Sequence, residues 1–490
     1  MNKPLNVFLI ASLLLAACAQ AKNAPGLISG SADPIQARIV RVENGLIPLG
    51  EGDQFQWGNP ASLAERMQHY GLPGLSVAVI ENYQLEWARG YGVFEAGGDQ
   101  PVTPNSLFHA GSIAKPVSAA AALMLVAGGQ LDLDREVNEQ LTAWQVPENE
   151  YTSNEKVSLR RLLSHSSGLT DGYAMRSSSD PEFNWWMAAE GEAPGVTIPQ
   201  LLEGQTPSEQ GDPTRVTRVP GSAYEYSNFG YGVVELLIEE AAQRDFAVLM
   251  QETVLTPLEM TSSTFEQPLP ARLRSRAVSE HYVSGEPFAE KRHHFPIRAA
   301  GGLWTTPSDL ARFAIEIMRT YQGDSDLLLS QPLAVEMLTP QIEIPDQGFI
   351  HSYGLGFDLG GQGQSFFAEH TGGTWGSTAL LWFYPETGQG AVIMTNSAAN
   401  QGAIRFELLM SIAKEYGWPL WTFMLLTNRV LPVWGMVTLL SLVVLVWLLI
   451  RLRAVPWKKK LLWLPLVGLL GPLGLLAFWL FMRHKGFVAR

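Results

Sequence analysis

The sequence predicts a mixed α/β fold of the α+β type, in which an antiparallel sheet is flanked by helices. A hairpin pattern near the amino terminus joins a strand at residues 75–80, a turn at 81–83 and a returning strand at 85–91. The alanine-rich apolar run at residues 117–126 is typical of a helix that is buried on all sides. Alternating β-rich segments then follow between residues 354 and 396.

The remaining elements follow from local signals along the chain. Residues 354–357, 377–384 and 390–396 are predicted to be adjacent strands, and residues 385–388 form a hairpin turn. Two glycines precede the second of these strands, which suggests that a ligand approaches the backbone closely there. Apolar periodicity and capping signals predict helices at residues 59–69, 157–163, 231–242, 246–254, 307–318 and 401–416.

Charge and cysteine content exclude several classes of partner. The chain of 490 residues has a formal net charge of −13, and residues 418–490 contain nine basic and no acidic side chains. The acidic body argues against a nucleic-acid partner, because phosphate binding requires clustered Lys and Arg. The single cysteine excludes an intrachain disulfide and a thiolate metal cluster. The sequence also has no zinc-ligand spacing, and we expect neither a metal nor a cofactor.

The amino-terminal residues 1–21 have the charge and apolar pattern of a secretory signal peptide. The sequence ending at Cys18 resembles a bacterial lipobox, in which the cysteine becomes lipidated. Residues 19–21 offer an ordinary small-residue cleavage site as the alternative. We favour lipidation, since an otherwise cysteine-free chain places its one cysteine at this position.

Two uncharged apolar stretches, residues 431–450 and 461–482, are each long enough to cross a hydrocarbon core of about 30 Å. The basic segment 451–460 between them belongs in the cytoplasm under the positive-inside rule. The main body is then expected in the periplasm, held in the bacterial inner membrane through lipid contacts of the two helices. The alternative of two buried helices in a soluble core fits the flanking charges and tryptophans less well.

The chemistry is expected to centre on Ser112 and Lys115, which stand three residues apart where a turn enters the apolar helix. Residues at this spacing share one helix face, so the amine can reach the hydroxyl. A serine needs such a base, and burial would favour a neutral lysine. The alternative is that Ser112 caps the helix and Lys115 is solvated.

Two further motifs follow in order, Tyr226-Ser227-Asn228 and His370-Thr371-Gly372. This set resembles the active-site motifs of penicillin-binding proteins and serine β-lactamases. The Tyr-x-Asn form is similar to that of class C β-lactamases, D-Ala-D-Ala carboxypeptidases, D-aminopeptidases and family VIII esterases. The resemblance implies a β-lactamase/DD-peptidase-like fold with an all-helical subdomain over about residues 45–415.

The resemblance also implies roles for individual residues. Ser112 would attack a carbonyl to form an acyl-enzyme, while Lys115 and Tyr226 share the proton transfers, with Tyr226 the favoured general base. The oxyanion hole would be formed by the backbone N–H groups of Ser112 and Gly373. Substrate binding is assigned to Asn228, His370, Thr371 and Gly372. Asn228 could alternatively be only a turn residue.

His370 departs from the pattern, because most β-lactamases carry a lysine there. A histidine is charged only below about pH 6.5 unless its surroundings shift it. Carboxylate-bearing β-lactams are therefore less expected as substrates, and D-amino-acid peptides or esters are at least as plausible. His370 as a plain core histidine is the alternative.

The resulting prediction is a membrane-anchored periplasmic serine hydrolase acting on a small-molecule or peptide substrate. The rival hypothesis is a membrane sensor of cell-wall peptides or β-lactams that acylates slowly without turnover. A channel or transporter is disfavoured, since the apolar stretches carry no charge.

The predicted segments are a signal peptide (1–21), spacer (22–44), hydrolase domain (45–415), linker (416–430), membrane helix (431–450), basic loop (451–460), second membrane helix (461–482) and tail (483–490).

Overall fold

The computed structural model describes residues 33–49, 59–171, 195–205, 211–288, 292, 295–345 and 350–420. The chain divides into two compact units, residues 1–40 and residues 41–490. In the first unit, the described residues form most of the helix Pro34–Glu43. The elements that carry the predicted site all lie in the second unit.

The helices within the described residues vary from one turn to four turns. They are α1 (Pro34–Glu43), α2 (Leu63–Tyr70), α3 (Ala114–Ala127), α4 (Leu159–Leu163), α5 (Ile198–Leu202), α6 (Asn228–Ala242), α7 (Phe246–Met250), α8 (Ala271–Arg274), α9 (Arg298–Gly301), α10 (Pro307–Gln322), α11 (Gln331–Met337) and α12 (Ala403–Tyr416). Short 3₁₀ turns lie between them, and the one that matters for the site is Gly111–Ile113.

The strands form one large sheet and one two-stranded ribbon. They are β1 (Gly74–Glu81), β2 (Gln84–Gly92), β3 (Phe108–His109), β4 (Trp304–Thr305), β5 (Ile342–Glu343), β6 (Ile350–Tyr353), β7 (Asp358–Gly360), β8 (Phe367–Gly373), β9 (Thr378–Tyr384) and β10 (Gln389–Thr395). The large sheet has the order β2-β1-β10-β9-β8-β7-β6-β5, and each neighbouring pair is antiparallel. The predicted antiparallel sheet with flanking helices is confirmed.

The amino-terminal hairpin β1–β2 is also confirmed. Asn82 and Tyr83 form its turn with φ values of 52° and 58°. Two successive positive φ angles give a turn whose twist matches that of the strands it joins. β1 lies inside the sheet, with β2 on one edge and β10 on the other, and Ala78 stands opposite Val392. Helix α10 packs on it, and β1 is buried from Gly74 to Ile80.

The predicted strand at residues 354–357 is wrong, because these residues connect β6 to β7. Gly356 has a φ of 99°, a conformation that a strand does not use, and a Cβ there would lie 3.0 Å from both Pro116 and Ala119. A Cβ on Gly354 would lie 2.4 Å from the carbonyl oxygen of Met337. The two glycines therefore let this connection pass close to α3 and to the end of α11.

Helix α2 begins at Leu63, four residues later than predicted. Ser62 caps it, since its hydroxyl accepts from the Glu65 N–H while the Glu65 carboxylate accepts from the Ser62 N–H. This reciprocal pair satisfies two backbone donors at the helix start. Pro60 consequently lies before the helix rather than in its first turn.

Helix α3 is buried on all sides, as predicted. Every residue from Ala114 to Leu123 is buried, including the polar Lys115 and Ser118. The helix packs against α6 and α9, and each fully buried leucine such as Leu123 contributes about 1.5–3 kcal/mol of stability. The amine of Lys115 is thereby held inside the hydrophobic core.

Within the described ranges, no helix combines the length and apolar character needed to cross a bilayer. The two predicted membrane helices at 431–450 and 461–482 lie outside these ranges, as do the signal peptide and Cys18. Helix α12 ends at Tyr416, and Gly417 closes it with a φ of 68°.

Candidate active site

Ser112 lies on the 3₁₀ turn Gly111–Ile113 between β3 and α3, and it is partly exposed. The preceding Gly111 has a φ of 53°, and a Cβ there would lie 2.7 Å from the backbone nitrogen of Gly373. Only glycine combines this backbone angle with so close an approach. The end of β8 is thus brought directly against the turn that carries the hydroxyl.

Lys115 is fully buried and donates to three acceptors. Its Nζ atom lies 3.2 Å from Ser112 Oγ, 2.8 Å from Asn228 Oδ1 and 2.9 Å from the carbonyl oxygen of Ala300. Burial lowers the pKa of Lys115 to about 7, although the negative charge of Asp171 acts in the opposite direction. Near neutral pH a substantial share of the amine is uncharged and can accept a proton.

Tyr226 stands beside the same pair. Its hydroxyl is hydrogen bonded to Ser112, and Lys115 Nζ lies 4.7 Å from the centre of its ring. Although 36% of the residue is exposed, burial of the hydroxyl raises the pKa of Tyr226 well above its ordinary value. The phenol is therefore protonated, and these pKa directions favour Lys115 over Tyr226 as the general base, which differs from the expectation drawn from the sequence.

Asn228 is the first residue of α6, and Asp171 fixes this end of the helix. The carboxylate of Asp171 accepts from the Ser227 hydroxyl at 2.5 Å, from the Phe229 N–H at 3.0 Å and from the Asn228 side-chain amide at 3.4 Å. The amide oxygen of Asn228 is thereby turned towards Lys115. Asp171 is not among the site residues predicted from the sequence.

His165 is a second residue whose role sequence analysis missed. It adopts a φ of 55°, and its Nδ1 atom accepts from the backbone N–H of Ser227 at 3.1 Å. Its ring centre lies 4.2 Å from that of Tyr226. Burial and the nearby Lys115 lower the pKa of His165 well below its ordinary value, so a neutral imidazole supports the Tyr226 ring.

His370 is buried on β8 and uses both ring nitrogens within the protein. Nδ1 lies 2.6 Å from the carbonyl oxygen of Thr371, and Nε2 lies 3.0 Å from the hydroxyl of Tyr353. Because a carbonyl can only accept, Nδ1 carries the hydrogen and Nε2 accepts from Tyr353. Burial and Lys115 lower the pKa of His370 to about 3, so the ring is neutral.

Gly372 and Gly373 end β8 where it meets the Ser112 turn. A Cβ on Gly372 would lie 2.0 Å from the carbonyl oxygen of Ala110, whereas the space around Gly373 is open. Thr371 is half-buried and stands opposite Leu380 of β9. The close approach predicted from the paired glycines is made by the protein's own backbone. The structure therefore brings Ser112, Lys115, Tyr226, Asn228 and the β8 residues 370–373 together.

Metal binding has no candidate in the part of the chain that the structure describes, since no group of three or more His, Cys, Asp or Glu side chains converges there. The arrangement instead combines a partly exposed hydroxyl, a buried amine and a protonated phenol. These groups can perform nucleophilic and acid–base chemistry on a carbonyl.

The sequence and the fold of this chain are similar to those of known proteins. Protein flp of Staphylococcus aureus (strain MRSA252) is 23% identical over 242 residues, which is 49% of this chain and 43% of that protein. The chain thus matches less than half the length of this curated relative. The octameric penicillin-binding protein homologue from Pyrococcus abyssi has a similar structure, with a TM-score of 0.58 and 23% identity over 73% of this chain and 76% of that one.

A class C β-lactamase is also similar, with a TM-score of 0.56 and 19% identity over 79% of this chain and 98% of that one. At these identities the likeness shows the mixed α/β fold shared by β-lactamases and DD-peptidases. A family model described as Beta-lactamase matches residues 61–413. Because that match covers most of the sequence, this chain belongs to the Beta-lactamase family.

Proposed function

We propose that this chain is a serine hydrolase that cleaves an amide or ester through a covalent acyl-enzyme on Ser112. The observation that carries the proposal is the 3.2 Å contact between Lys115 Nζ and Ser112 Oγ, made by an amine that is fully buried. The lowered pKa of Lys115, about 7, provides neutral amine to accept the hydroxyl proton.

In the acylation step, Ser112 Oγ bonds to the substrate carbonyl carbon while its proton passes to Lys115 Nζ. The oxygen of the tetrahedral intermediate becomes negative and is placed at the backbone N–H groups of Ser112 and Gly373. The bond to the leaving alcohol or amine then breaks, and the leaving group takes a proton. Tyr226 is suited to deliver it, because its phenol is protonated and already hydrogen bonded to Ser112, and the proton held by Lys115 then restores the phenol.

Hydrolysis of the acyl-enzyme reverses these transfers. A water molecule attacks the ester carbonyl and gives up a proton to the Tyr226–Lys115 pair, and the bond to Ser112 Oγ breaks as the hydroxyl regains its proton. Asn228 keeps Lys115 in place throughout, since their contact of 2.8 Å does not involve the substrate.

The charge of the site bears on the substrate class. The position at which a lysine would attract a substrate carboxylate holds a neutral His370 whose ring nitrogens are both engaged. This favours acyl donors without a carboxylate at that position. Among D-amino-acid peptides, esters and β-lactams, we therefore propose uncharged peptide amides or esters ahead of carboxylate-bearing β-lactams.

The location of the enzyme is part of the proposal. The apolar stretches at 431–450 and 461–482 and the basic loop between them support an inner-membrane protein whose catalytic domain faces the periplasm. Protease treatment of spheroplasts and intact cells tests this orientation. Cleavage of the catalytic domain in spheroplasts alone is expected, and protection in both preparations would refute it.

The chemistry is tested by labelling the full chain with a fluorescent fluorophosphonate and by screening a cephalosporin, a D-alanyl peptide and short p-nitrophenyl esters. The wild type should be labelled and Ser112→Ala should not, whereas equal labelling of both would refute the assignment. Rapid multiple turnover of an ester or peptide is expected. Stoichiometric acylation without turnover would support the rival sensor hypothesis.

A further inference from the structure

Three consecutive carbonyl groups of the short helix α9 accept hydrogen bonds from the segment that carries Ser112. The carbonyl of Ala299 accepts from Ser118 Oγ at 3.1 Å, and that of Ala300 accepts from Lys115 at 2.9 Å. The carbonyl of Gly301 accepts from His109 Nε2 at 2.7 Å. A helix of one turn leaves its carbonyls without intrahelical partners, so they are free to bind these side chains.

The opposite end of α9 is anchored to α6 through Glu235 and Arg298. Glu235 Oε2 accepts from the backbone N–H of Ala299 at 2.8 Å, and its Oε1 accepts from Arg298 Nε at 2.7 Å. Glu235 is only 1% exposed. The other guanidinium nitrogens of Arg298 bind Glu239 at 2.7 Å and Asp245 at 2.8 Å.

Helix α6 therefore reaches Lys115 by two routes. Asn228 contacts the amine directly at the first residue of the helix. Glu235 follows seven residues later, about two turns on, and so lies on the same face of α6. From there Glu235 accepts from the backbone N–H of Ala299. The next residue, Ala300, supplies the carbonyl that accepts from Lys115.

We propose that Glu235 and Arg298 are positioning residues that hold the Ala300 carbonyl against Lys115 and thereby keep the amine on Ser112 Oγ. This inference depends on the proposed role of Lys115 as general base. Neither residue touches Ser112, so each acts through α9. Loss of either anchor would let α9 shift and would remove one of the two acceptors, other than Ser112 itself, that orient the amine.

The expected effect on reaction rate is large. A displacement of about 1 Å in a catalytic group lowers the rate by up to about a hundredfold. We therefore expect Arg298→Gln and Glu235→Gln to reduce the fluorophosphonate acylation rate by that factor. The conservative variant Arg298→Lys retains the positive charge and should retain part of the acylation rate. The rest of the rate should be lost, because a lysine can replace only one of the three guanidinium contacts.

A pH measurement separates positioning from simple destabilisation. The Ala300 carbonyl stabilises the charged amine more than the neutral one, so its displacement should lower the pKa of Lys115. The acidic limb of the acylation rate should move to lower pH in Arg298→Lys, because this variant keeps the positive charge at residue 298 and changes only the contacts that hold α9. The titratable and charged groups that face Lys115, and that remain in the variant, are Asp171, Tyr226, Tyr231, His165 and His370.

The experiment compares the full-length wild type with Arg298→Gln, Arg298→Lys, Glu235→Gln and Arg312→Gln. Arg312→Gln is the matched control, because it breaks a surface ion pair with Glu259 that does not involve α9. A ¹³C titration of the lysine Cε signal that disappears in Lys115→Arg gives the same pKa without substrate. An acylation rate of Arg298→Gln and of Glu235→Gln within twofold of the wild type would overturn the inference. So would an acidic limb of Arg298→Lys that stays in place or moves to higher pH.

The two proposals fail in different ways. If the wild type is not labelled at Ser112, the proposed function is wrong, and the Cε titration still tests whether Arg298 controls Lys115. If labelling depends on Ser112 but Arg298→Gln behaves like Arg312→Gln, only the positioning role is lost.

Discussion

The hydroxyl of Tyr353 donates to the Nε2 atom of His370 over 3.0 Å, and both side chains are buried. With Nδ1 engaged by the Thr371 carbonyl, the imidazole offers a substrate neither a charge nor a free N–H. The low pKa of His370, about 3, means that this holds throughout the physiological pH range. Strand β8 therefore presents an uncharged side chain beside the nucleophile.

The first prediction concerns this missing charge. His370→Lys should raise the rate on a carboxylate-bearing cephalosporin, relative to an uncharged ester, by about tenfold, or ~1.4 kcal/mol, because it restores a cation at this position. The ratio of kcat/KM for the two substrates measures it. His370→Gln is the neutral control, and an equal gain in that variant would show that size rather than charge is responsible.

A second prediction follows from the lowered pKa of Lys115. A general base must be neutral, so protonation below its pKa of about 7 should abolish acylation, and the rate should rise through about pH 7 to a plateau. Replacing the amine in Lys115→Met should reduce the plateau by about 10²–10⁴-fold. Labelling rates between pH 5 and 9 give both results. A rate that does not change over this range would exclude Lys115 as the base.

Asp171 supplies a third prediction. Its negative charge raises the pKa of Lys115, so Asp171→Asn should lower that pKa and move the acidic limb of acylation to lower pH. Asp171→Ala also removes the acceptor for the Phe229 N–H and should cost about 1–3 kcal/mol of unfolding free energy. Urea unfolding measures this loss. The control is Asp212→Asn, which changes an exposed aspartate. If the acidic limb of acylation lies at the same pH in both variants, the charge of Asp171 does not raise the pKa of Lys115.

The fourth prediction tests the contact between β8 and the Ser112 turn. Gly372→Ala places a methyl group 2.0 Å from the Ala110 carbonyl oxygen, so the turn must move. We expect about a hundredfold loss of acylation and ~1–3 kcal/mol of stability. Gly128→Ala is the control, since its nearest neighbour would be 3.4 Å away. Unchanged labelling of Gly372→Ala would mean that the turn has room to adjust.

Local patterns in the sequence predict the elements whose stability is itself local. The hairpin β1–β2 follows from alternation and a short turn, and the burial of α3 follows from its apolar composition. The strand expected at 354–357 fails because the φ of Gly356 and its contact with Pro116 are set by α3, which is more than 200 residues away in the sequence. No local pattern contains that information.

The same distinction applies to the site. The motifs predict that Ser112, Lys115, Tyr226, Asn228 and residues 370–373 share one site. In the structure Lys115 contacts Ser112 and Asn228, and the end of β8 lies against the Ser112 turn. The protonation states cannot be predicted in this way, because the pKa of His370 depends on its burial and on its hydrogen bond to Tyr353. Asp171 and the Ala300 carbonyl were missed because their contacts with the site join distant parts of the chain.

The position of β10 between β1 and β9 has a consequence for how the chain folds. The first strand of the sheet pairs with the last, so that Leu75 lies opposite Thr395. No nascent chain can complete this sheet until almost the whole domain has been synthesised, and contacts of such long sequence separation slow folding. Until then β1, which is apolar on both faces, has no permanent neighbour on one edge. Chains truncated before residue 389 should accordingly aggregate rather than form a smaller stable domain.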